Sequence, residues 1–143
     1  MRRLLTGVDD QGKSCVLEDT EISPTEAVPG IAMEMLFATS ESPPPPRPES
    51  QADFLSLGLD PGLCRWTILD WAPHHSWQMH HTDTLDFDMV LSGSVELILS
   101  TGAHSLEPGD CAVITGVDHA WRSGPNGCRI SIVMFGTPPP SPA

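Results

Sequence analysis

The chain has 143 residues and a net charge of −12, from 19 acidic and 7 basic side chains. This length fits one domain with one modest core. The lack of a basic patch argues against nucleic acid and anionic membranes as partners, and no apolar run is long enough to span a bilayer. The four cysteines are scattered without a CxxC pair. Such spacing is typical of reduced thiols, so we expect a cytoplasmic protein.

Strand patterns begin at the amino terminus. Residues 2–19 predict a hairpin, because two apolar runs flank a turn rich in aspartate and glycine. Residues 20–30 predict a loop. Alternating apolar side chains then favour a strand over residues 31–39. We therefore expect residues 1–40 to form a hairpin and a strand that pack on the edge of the main body.

Proline marks two segments without regular structure. Pro43 to Pro46 are consecutive, so residues 41–53 predict an exposed loop of polyproline type. Residues 137–143 are also rich in proline and predict a disordered tail. Residues 54–136, which lie between these two segments, form the predicted core unit.

The core unit consists of short strand-like runs. Turn signals separate these runs at short and regular intervals, and none of them has a convincing helical period. The pattern predicts an all-β fold, either a sandwich or a small barrel. The predicted strands cover residues 65–71, 78–91, 95–99, 102–107, 110–115, 120–122 and 129–135.

Side chains alternate between two faces along the predicted strand 78–91, and this alternation determines which polar side chains point inward together. His119, on a later strand, adds an imidazole, and Trp121 shares its parity. The neighbouring His81 has the opposite parity, so it lies on the surface unless a bulge turns it inward in place of His80. If Asp86 points inward, the residues that point inward with it are His80, Thr82, Thr84 and Asp88.

This polar cluster is chemically competent in two ways. His80, Asp86 and His119 could form a two-histidine, one-carboxylate set that binds one divalent Zn, Mn, Fe or Ni ion. The same residues could instead form a hydrogen-bonded pocket without a metal. Both interpretations stay open at this level. The residues expected to contact a substrate are Thr82, Thr84, Asp88 and Trp121, whose indole would form an apolar floor.

Other side chains carry weaker signals. His74 and His75 lie in a loop-like stretch and are expected to be exposed, whereas Trp66, Trp71 and Trp77 are expected to pack in the core or at the rim. The sequence contains no GxSxG, GxGxxG or GxxxxGK[ST] pattern. Acyl transfer by a serine nucleophile and phosphate binding by a glycine loop are therefore disfavoured.

The polar strand resembles the first motif of the cupins, a superfamily of small jelly-roll β-barrels. That motif is G(X)5HXH(X)3,4E(X)6G. His80 falls on its first histidine, Thr82 on the second, Asp86 on the glutamate and Gly93 on the closing glycine, while the leading glycine is missing. The run that ends at Asp86 also looks like short single-domain cupins whose motif begins Met-His-x-Thr-x-Thr-x-Asp.

A second cupin motif, G(X)5PXG(X)2H(X)3N, is matched in order by Gly109, Gly116, His119 and Ser123, with one residue fewer between the two glycines. The resemblance implies an all-β jelly-roll barrel with an added N-terminal hairpin. It also implies that a bound metal would have at most three of the four usual ligands, because Thr82 replaces a histidine.

Stand-alone cupins of this kind are similar to tailoring enzymes of secondary metabolism. The resemblance implies isomerisation, cyclisation, dehydration or decarboxylation of a small molecule next to a carbonyl. His119 or His80 would act as general acid or base, and Asp86 would orient or charge-tune it. Alternatives are a non-catalytic ligand-binding protein and a metal-dependent dioxygenase. We also expect a homodimer that pairs through the N-terminal hairpin.

Overall fold

The computed structural model describes residues 1–140, which contain eleven β-strands and no helix. No helix in this range is long and apolar enough to cross a membrane. The last residues of the predicted disordered tail, 141–143, lie outside the described part. The strands are β1 (Arg2–Val8), β2 (Ser14–Glu21), β3 (Thr25–Val28), β4 (Ile31–Met33), β5 (Asp53–Phe54), β6 (Cys64–Trp71), β7 (Ser76–His81), β8 (Thr84–Leu99), β9 (Gly102–Leu106), β10 (Cys111–Ile114) and β11 (His119–Gly136).

Two long strands organise the fold. β8 and β11 pair antiparallel along nearly their whole lengths. On the other edge of β8, the first part pairs with β10 and the second part with β9. In the same way, the first part of β11 pairs with β7 and the second part with β6. The nine-stranded sheet therefore has two halves that share one ribbon.

We call one half the hairpin half, because it contains β1 and β2, and the other the histidine half, because it contains His80 and His119. The hairpin half has the order β2-β1-β10-β8-β11-β6, and the histidine half has the order β9-β8-β11-β7-β5. Side chains from both halves line one cavity, so the two halves face each other. This architecture confirms the predicted all-β fold of curled, jelly-roll type.

The hydrophobic core follows from the alternation of these strands. Burial alternates along much of β8 and β11, so one face of each strand is buried. In the first part of β8 that face carries Asp86 and Asp88. The predicted N-terminal hairpin is confirmed as β1 and β2, and β1 joins the barrel by pairing in parallel with β10. Buried core residues include Leu4, Val90, Leu97, Leu106, Ile114 and Ile130.

The shared ribbon bends where glycines replace side chains. Gly93 has a φ of +73°, and a Cβ atom there would lie 2.1 Å from the carbonyl oxygen of Gly127. The pairing of β11 with β8 shifts between Ser123 and Cys128. The sequence predicted separate strands over residues 78–91 and 95–99, and over residues 120–122 and 129–135, with a turn within each pair. Both predictions were wrong, because each strand continues through its bend.

The predicted strand over residues 31–39 was also wrong. Only β4 forms there, and it pairs with β3 in a separate two-stranded sheet rather than with the barrel. β3 itself lies inside the predicted loop 20–30. Met33 and Met35 are exposed. Alternation specifies a strand in a barrel only when one of its faces is buried, and that condition fails here.

The predicted strand over residues 78–91 is interrupted at Thr82 and Asp83, between β7 and β8. The Asp83 carboxylate accepts a hydrogen bond from Arg47 Nε at 2.7 Å. Its carbonyl accepts one from the backbone N–H of Thr137 at 3.0 Å. Both contacts lie at the break between β7 and β8. Thr137, the first residue of the predicted tail, is buried.

The bend predicts a specific stability effect. We expect Gly93→Ala to destabilise the protein by about 3 kcal/mol, because the left-handed backbone and the contact with Gly127 both oppose a Cβ atom. Gly12→Ala is the matched control, since Gly12 has a φ of +74° but no atom within 4 Å of its Cβ position. It should cost only about 1 kcal/mol. Urea unfolding of both variants measures the difference, and equal losses would contradict the steric role of the bend.

Candidate active site

A cavity of about 610 Å³ lies between the two halves of the sheet. Its size is within the range of small-molecule pockets, roughly 300–1,000 Å³. Thr84 does not line it, although its hydroxyl lies 2.8 Å from the hydroxyl of Thr82. The structure therefore brings six of the seven predicted site residues to one cavity, namely His80, Thr82, Asp86, Asp88, His119 and Trp121.

Two imidazoles face each other on the histidine half. His80 on β7 stands opposite His119 on β11, and their ring centroids are 4.3 Å apart. Nδ1 of His80 lies 2.9 Å from the carbonyl oxygen of Gln78, and Nδ1 of His119 lies 2.8 Å from that of Val117. A carbonyl oxygen only accepts hydrogen bonds, so we assign the proton to Nδ1 in both rings. Each Nε2 therefore carries a lone pair.

Burial keeps these rings neutral. The pKa of His119 falls to about 4, first because the ring is desolvated and second because His80 lies beside it. Burial also lowers the pKa of His80. At neutral pH both imidazoles are therefore uncharged proton acceptors.

Two buried carboxyls lie on the hairpin half. Asp86 and Asp88 are two residues apart on β8 and share one face of the strand. Among the described residues, Oδ1 of each carboxyl has no hydrogen-bond partner. Burial raises the pKa of Asp86 to about 7. It raises that of Asp88 well above the usual value, and the nearby Asp86 raises it further. Both groups can therefore carry a proton near neutral pH.

Strand register separates the carboxyls from the imidazoles. Asp86 pairs with Met134 in the hairpin half, whereas His119 pairs with His80 and Leu99 in the histidine half. No hydrogen bond joins Asp86 to either ring within residues 1–140. The predicted role of Asp86 in orienting a histidine is instead performed by the backbone carbonyls of Gln78 and Val117.

The metal set stays a prediction. Two free Nε2 atoms and an unpartnered carboxyl oxygen are donors that suit a divalent cation, and the carbonyl-bound Nδ1 atoms resemble the outer contacts of metal-ligating histidines. In the part of the chain that is described, however, no three histidine, cysteine, aspartate or glutamate side chains are grouped closely enough to hold an ion. His80 and His119 would be the ligand pair, with Asp86 as a third.

An aromatic wall completes the cavity, and the sequence predicted only part of it. Trp121 packs edge-on against Trp71 with centroids 6.1 Å apart, and Trp71 packs edge-on against His75 at 6.2 Å. Trp77 stands opposite Trp121 in the pairing of β7 with β11. His75 is exposed, as expected, and it also lines the cavity. The preceding His74 has a φ of +54°. No pattern in the sequence indicates this left-handed backbone conformation.

His81 is neither a surface residue nor a cavity residue. It is buried on the other side of β7, where its ring centroid is 5.5 Å from that of Phe54 and its Nδ1 lies 3.5 Å from Asp118. The Asp118 carboxylate also accepts hydrogen bonds from the backbone N–H groups of Gln51 and Ala52. This cluster fixes the segment that continues to Leu55, which lines the cavity.

Comparison with known proteins gives distant relatives. No family model matches the chain. It is 34% identical over 97 residues to the phomopsin biosynthesis cluster protein C' of Diaporthe leptostromiformis, covering 62% of this chain and 51% of that protein. It is 28% identical over 129 residues to the cupin-domain-containing oxidoreductase srdB of Neurospora crassa, covering 85% of this chain and 65% of that protein. The chain therefore covers less than two thirds of either relative.

Among solved structures, the chain is similar to a sugar phosphate isomerase of the cupin superfamily from Silicibacter pomeroyi. The identity is 21%, the match covers 52% of each chain, and the TM-score is 0.45. With an identity and a TM-score this low, the structural similarity does not indicate what the site does.

The neutral state of His119 can be tested directly. We expect its imidazole to remain the neutral Nδ1–H tautomer from pH 8 down to pH 5, because burial disfavours the charged ring and places its pKa at about 4. Long-range proton–nitrogen NMR correlations report both the tautomer and the protonation. A titration midpoint near 6.5, the value of a solvated imidazole, would contradict the buried geometry.

Proposed function

We propose that the chain is a cupin-type protein and a small-molecule tailoring enzyme of secondary metabolism that transfers a proton next to a carbonyl. One observation carries this proposal: unprotonated imidazole nitrogens face carboxyls that can donate a proton, across an apolar cavity of small-molecule size. The relatives support the setting, because one belongs to a biosynthesis cluster and another is a cupin-domain oxidoreductase.

Different walls of the cavity would contact different parts of the substrate. The edge-packed indoles of Trp71 and Trp121 would bind a ring or another flat apolar body. The carbonyl oxygen of the substrate would lie towards Asp86 and Asp88, and the adjacent carbon towards His119. In this orientation the groups that accept and donate protons lie on opposite sides of the substrate.

The low basicity of His119 determines how the proton would move. A ring with a pKa of about 4 removes a carbon-bound proton only if the carbonyl is polarised at the same time. A hydrogen bond from the Asp86 carboxyl to the carbonyl oxygen would provide that polarisation, and Nε2 of His119 would accept the proton. Return of the proton to another carbon gives isomerisation, and loss of a leaving group gives dehydration.

A metal-dependent oxidoreductase is the second candidate, favoured by the two free Nε2 atoms of His80 and His119. A divalent cation held there would supply Lewis-acid charge. This candidate requires that purified protein binds Fe(II) or another divalent ion and loses it in His119→Ala, as measured by plasma mass spectrometry, and that turnover consumes dioxygen. Proton transfer without a cofactor requires neither.

The homodimer stays a prediction. β2 is the outer strand of the hairpin half and pairs only with β1 within the described residues. Its free edge is where the predicted pairing through the hairpin would occur.

Proton transfer predicts deuterium uptake. In heavy water, we expect the protein to exchange the α-hydrogens of ring-bearing 2-oxo and 3-oxo acids faster than buffer does, because an enol forms reversibly. His119→Ala should slow this exchange about 100-fold or more, since general base catalysis typically contributes 10²–10⁴-fold. Proton NMR follows the loss of the α-hydrogen signal.

The matched control is His104→Ala on β9, because His104 does not line the cavity. This variant should retain the rate of the unmodified protein. Unchanged exchange in His119→Ala would remove His119 from the mechanism. Dioxygen consumption without deuterium uptake would favour the oxidoreductase instead.

A further inference from the structure

Within residues 1–140, one arginine of this acidic protein has no carboxylate partner. Lys13 is the single lysine among the 7 basic residues, so the other six are arginines. Five of them form ion pairs, whereas Arg65 on β6 forms none with the residues described, 1–140, and it lines the cavity. The paired arginines are Arg2 with Asp19, Arg3 with Glu18, Arg47 with Asp83, Arg122 with Glu96 and Arg129 with Asp70.

Strand register places Arg65 in the same row as a carboxyl of the candidate site. Arg65 pairs with Met134 on β11, and Met134 pairs with Asp86 on β8. Residues directly opposite in paired strands point to the same face, and neighbouring strands lie about 4.8 Å apart. The backbones of Arg65 and Asp86 are therefore roughly 10 Å apart across the cavity wall.

The Arg65 guanidinium retains free donors. Its Nη1 donates a hydrogen bond to the carbonyl oxygen of Leu57 at 2.9 Å, which holds the side chain beside the cavity. A guanidinium has five N–H groups, so most of them remain available to a ligand. The planar fork of these groups matches a carboxylate or another oxyanion.

Another acidic side chain on this wall, Asp70, is already ion-paired with Arg129. Asp70 also lines the cavity, but it accepts two hydrogen bonds from Arg129, at 2.7 and 2.9 Å. Between Arg65 and Asp86 stands the apolar Met134, and the next row has Thr67 and Ile132 before Asp88. Arg65 is thus the one arginine or lysine side chain among the described lining residues.

We propose that Arg65 binds an anionic group of the substrate, so that the substrate is a compact apolar organic acid whose ring lies against the tryptophan wall. This inference deepens the proposed function and rests on it. The spacing of the row limits the substrate, because a carboxylate held by Arg65 lies within one or two strand spacings of the carbonyl that would face Asp86. Amides, esters and uncharged ketones of the same shape would lack this contact.

Two fluorescent probes that differ by one charge test the inference. The probe 8-anilinonaphthalene-1-sulfonate has an apolar aromatic body and an anionic group, and N-phenyl-1-naphthylamine has the same body without that group. We expect Arg65→Gln to weaken binding of the sulfonate probe about tenfold, as for a partly exposed charged hydrogen bond. Binding of the neutral probe should stay within about twofold of the unmodified protein.

Three further variants complete the experiment. Arg122→Gln removes an exposed, paired arginine outside the cavity lining and should change neither probe. Thr67→Trp fills the cavity beside Arg65 from an edge strand and should weaken both. Arg65→Lys keeps the charge and should recover part of the preference for the sulfonate. Thermal melts confirm that each variant is folded.

Each outcome decides a different point. Equal loss of both probes in Arg65→Gln, the result expected if Arg65 only positions Leu57, overturns the inference, as does unchanged binding of the sulfonate. In both cases the proposed function stands if Thr67→Trp still blocks the probes. Binding that is insensitive to Thr67→Trp shows that the probes do not bind in the cavity, and it overturns the inference about Arg65. Deuterium exchange in the oxo acids tests the catalytic proposal independently of these titrations.

Discussion

The bend of the β8–β11 ribbon is the constraint on which the rest of the structure depends. These strands pair on both sides of the corner between the two halves of the sheet, and their register shifts between Ser123 and Cys128. Gly93 and Gly127 lie at the corner with φ values of +73° and +72°, a conformation that glycine adopts without the penalty of a Cβ atom. Because the ribbon is continuous, the position of a residue before or after the bend decides which wall of the cavity it occupies. Asp86 and His119 lie at opposite ends of the two paired strands.

This placement sets the charge state of the site. Transfer of a proton from a carboxyl to an imidazole would form an ion pair, but burial disfavours both charged groups. Across about 10 Å, the spacing of packed sheets, the attraction between unit charges is roughly 2 kcal/mol at an effective dielectric constant of 20. Desolvation costs several kcal/mol for each ion. The neutral forms are therefore favoured, in agreement with the lowered pKa of His119 and the raised pKa of Asp86.

Strand alternation was sufficient to place six of the seven predicted site residues in the cavity, because β8 keeps a strict period of two through Asp86 and Asp88. It failed at Thr84 and His81, on either side of the break between β7 and β8. That break depends on the contact of Asp83 with Arg47, 36 residues away in the chain. The continuity of β8 through Gly93 likewise depends on Gly127. Contacts at such separations leave no local pattern in the sequence.

The substitution at residue 82 links the fold to the proposed chemistry. Where the resembling motif has a second histidine, Thr82 places a hydroxyl, and this hydroxyl is bonded to that of Thr84 rather than directed at His80 or His119. A cation between the two imidazoles would thus lack one nitrogen ligand. The same loss leaves two neutral bases facing two carboxyls, with no third imidazole to compete for their protons. The replacement therefore weakens a metal site and, by the same change, favours a site whose own side chains transfer the proton.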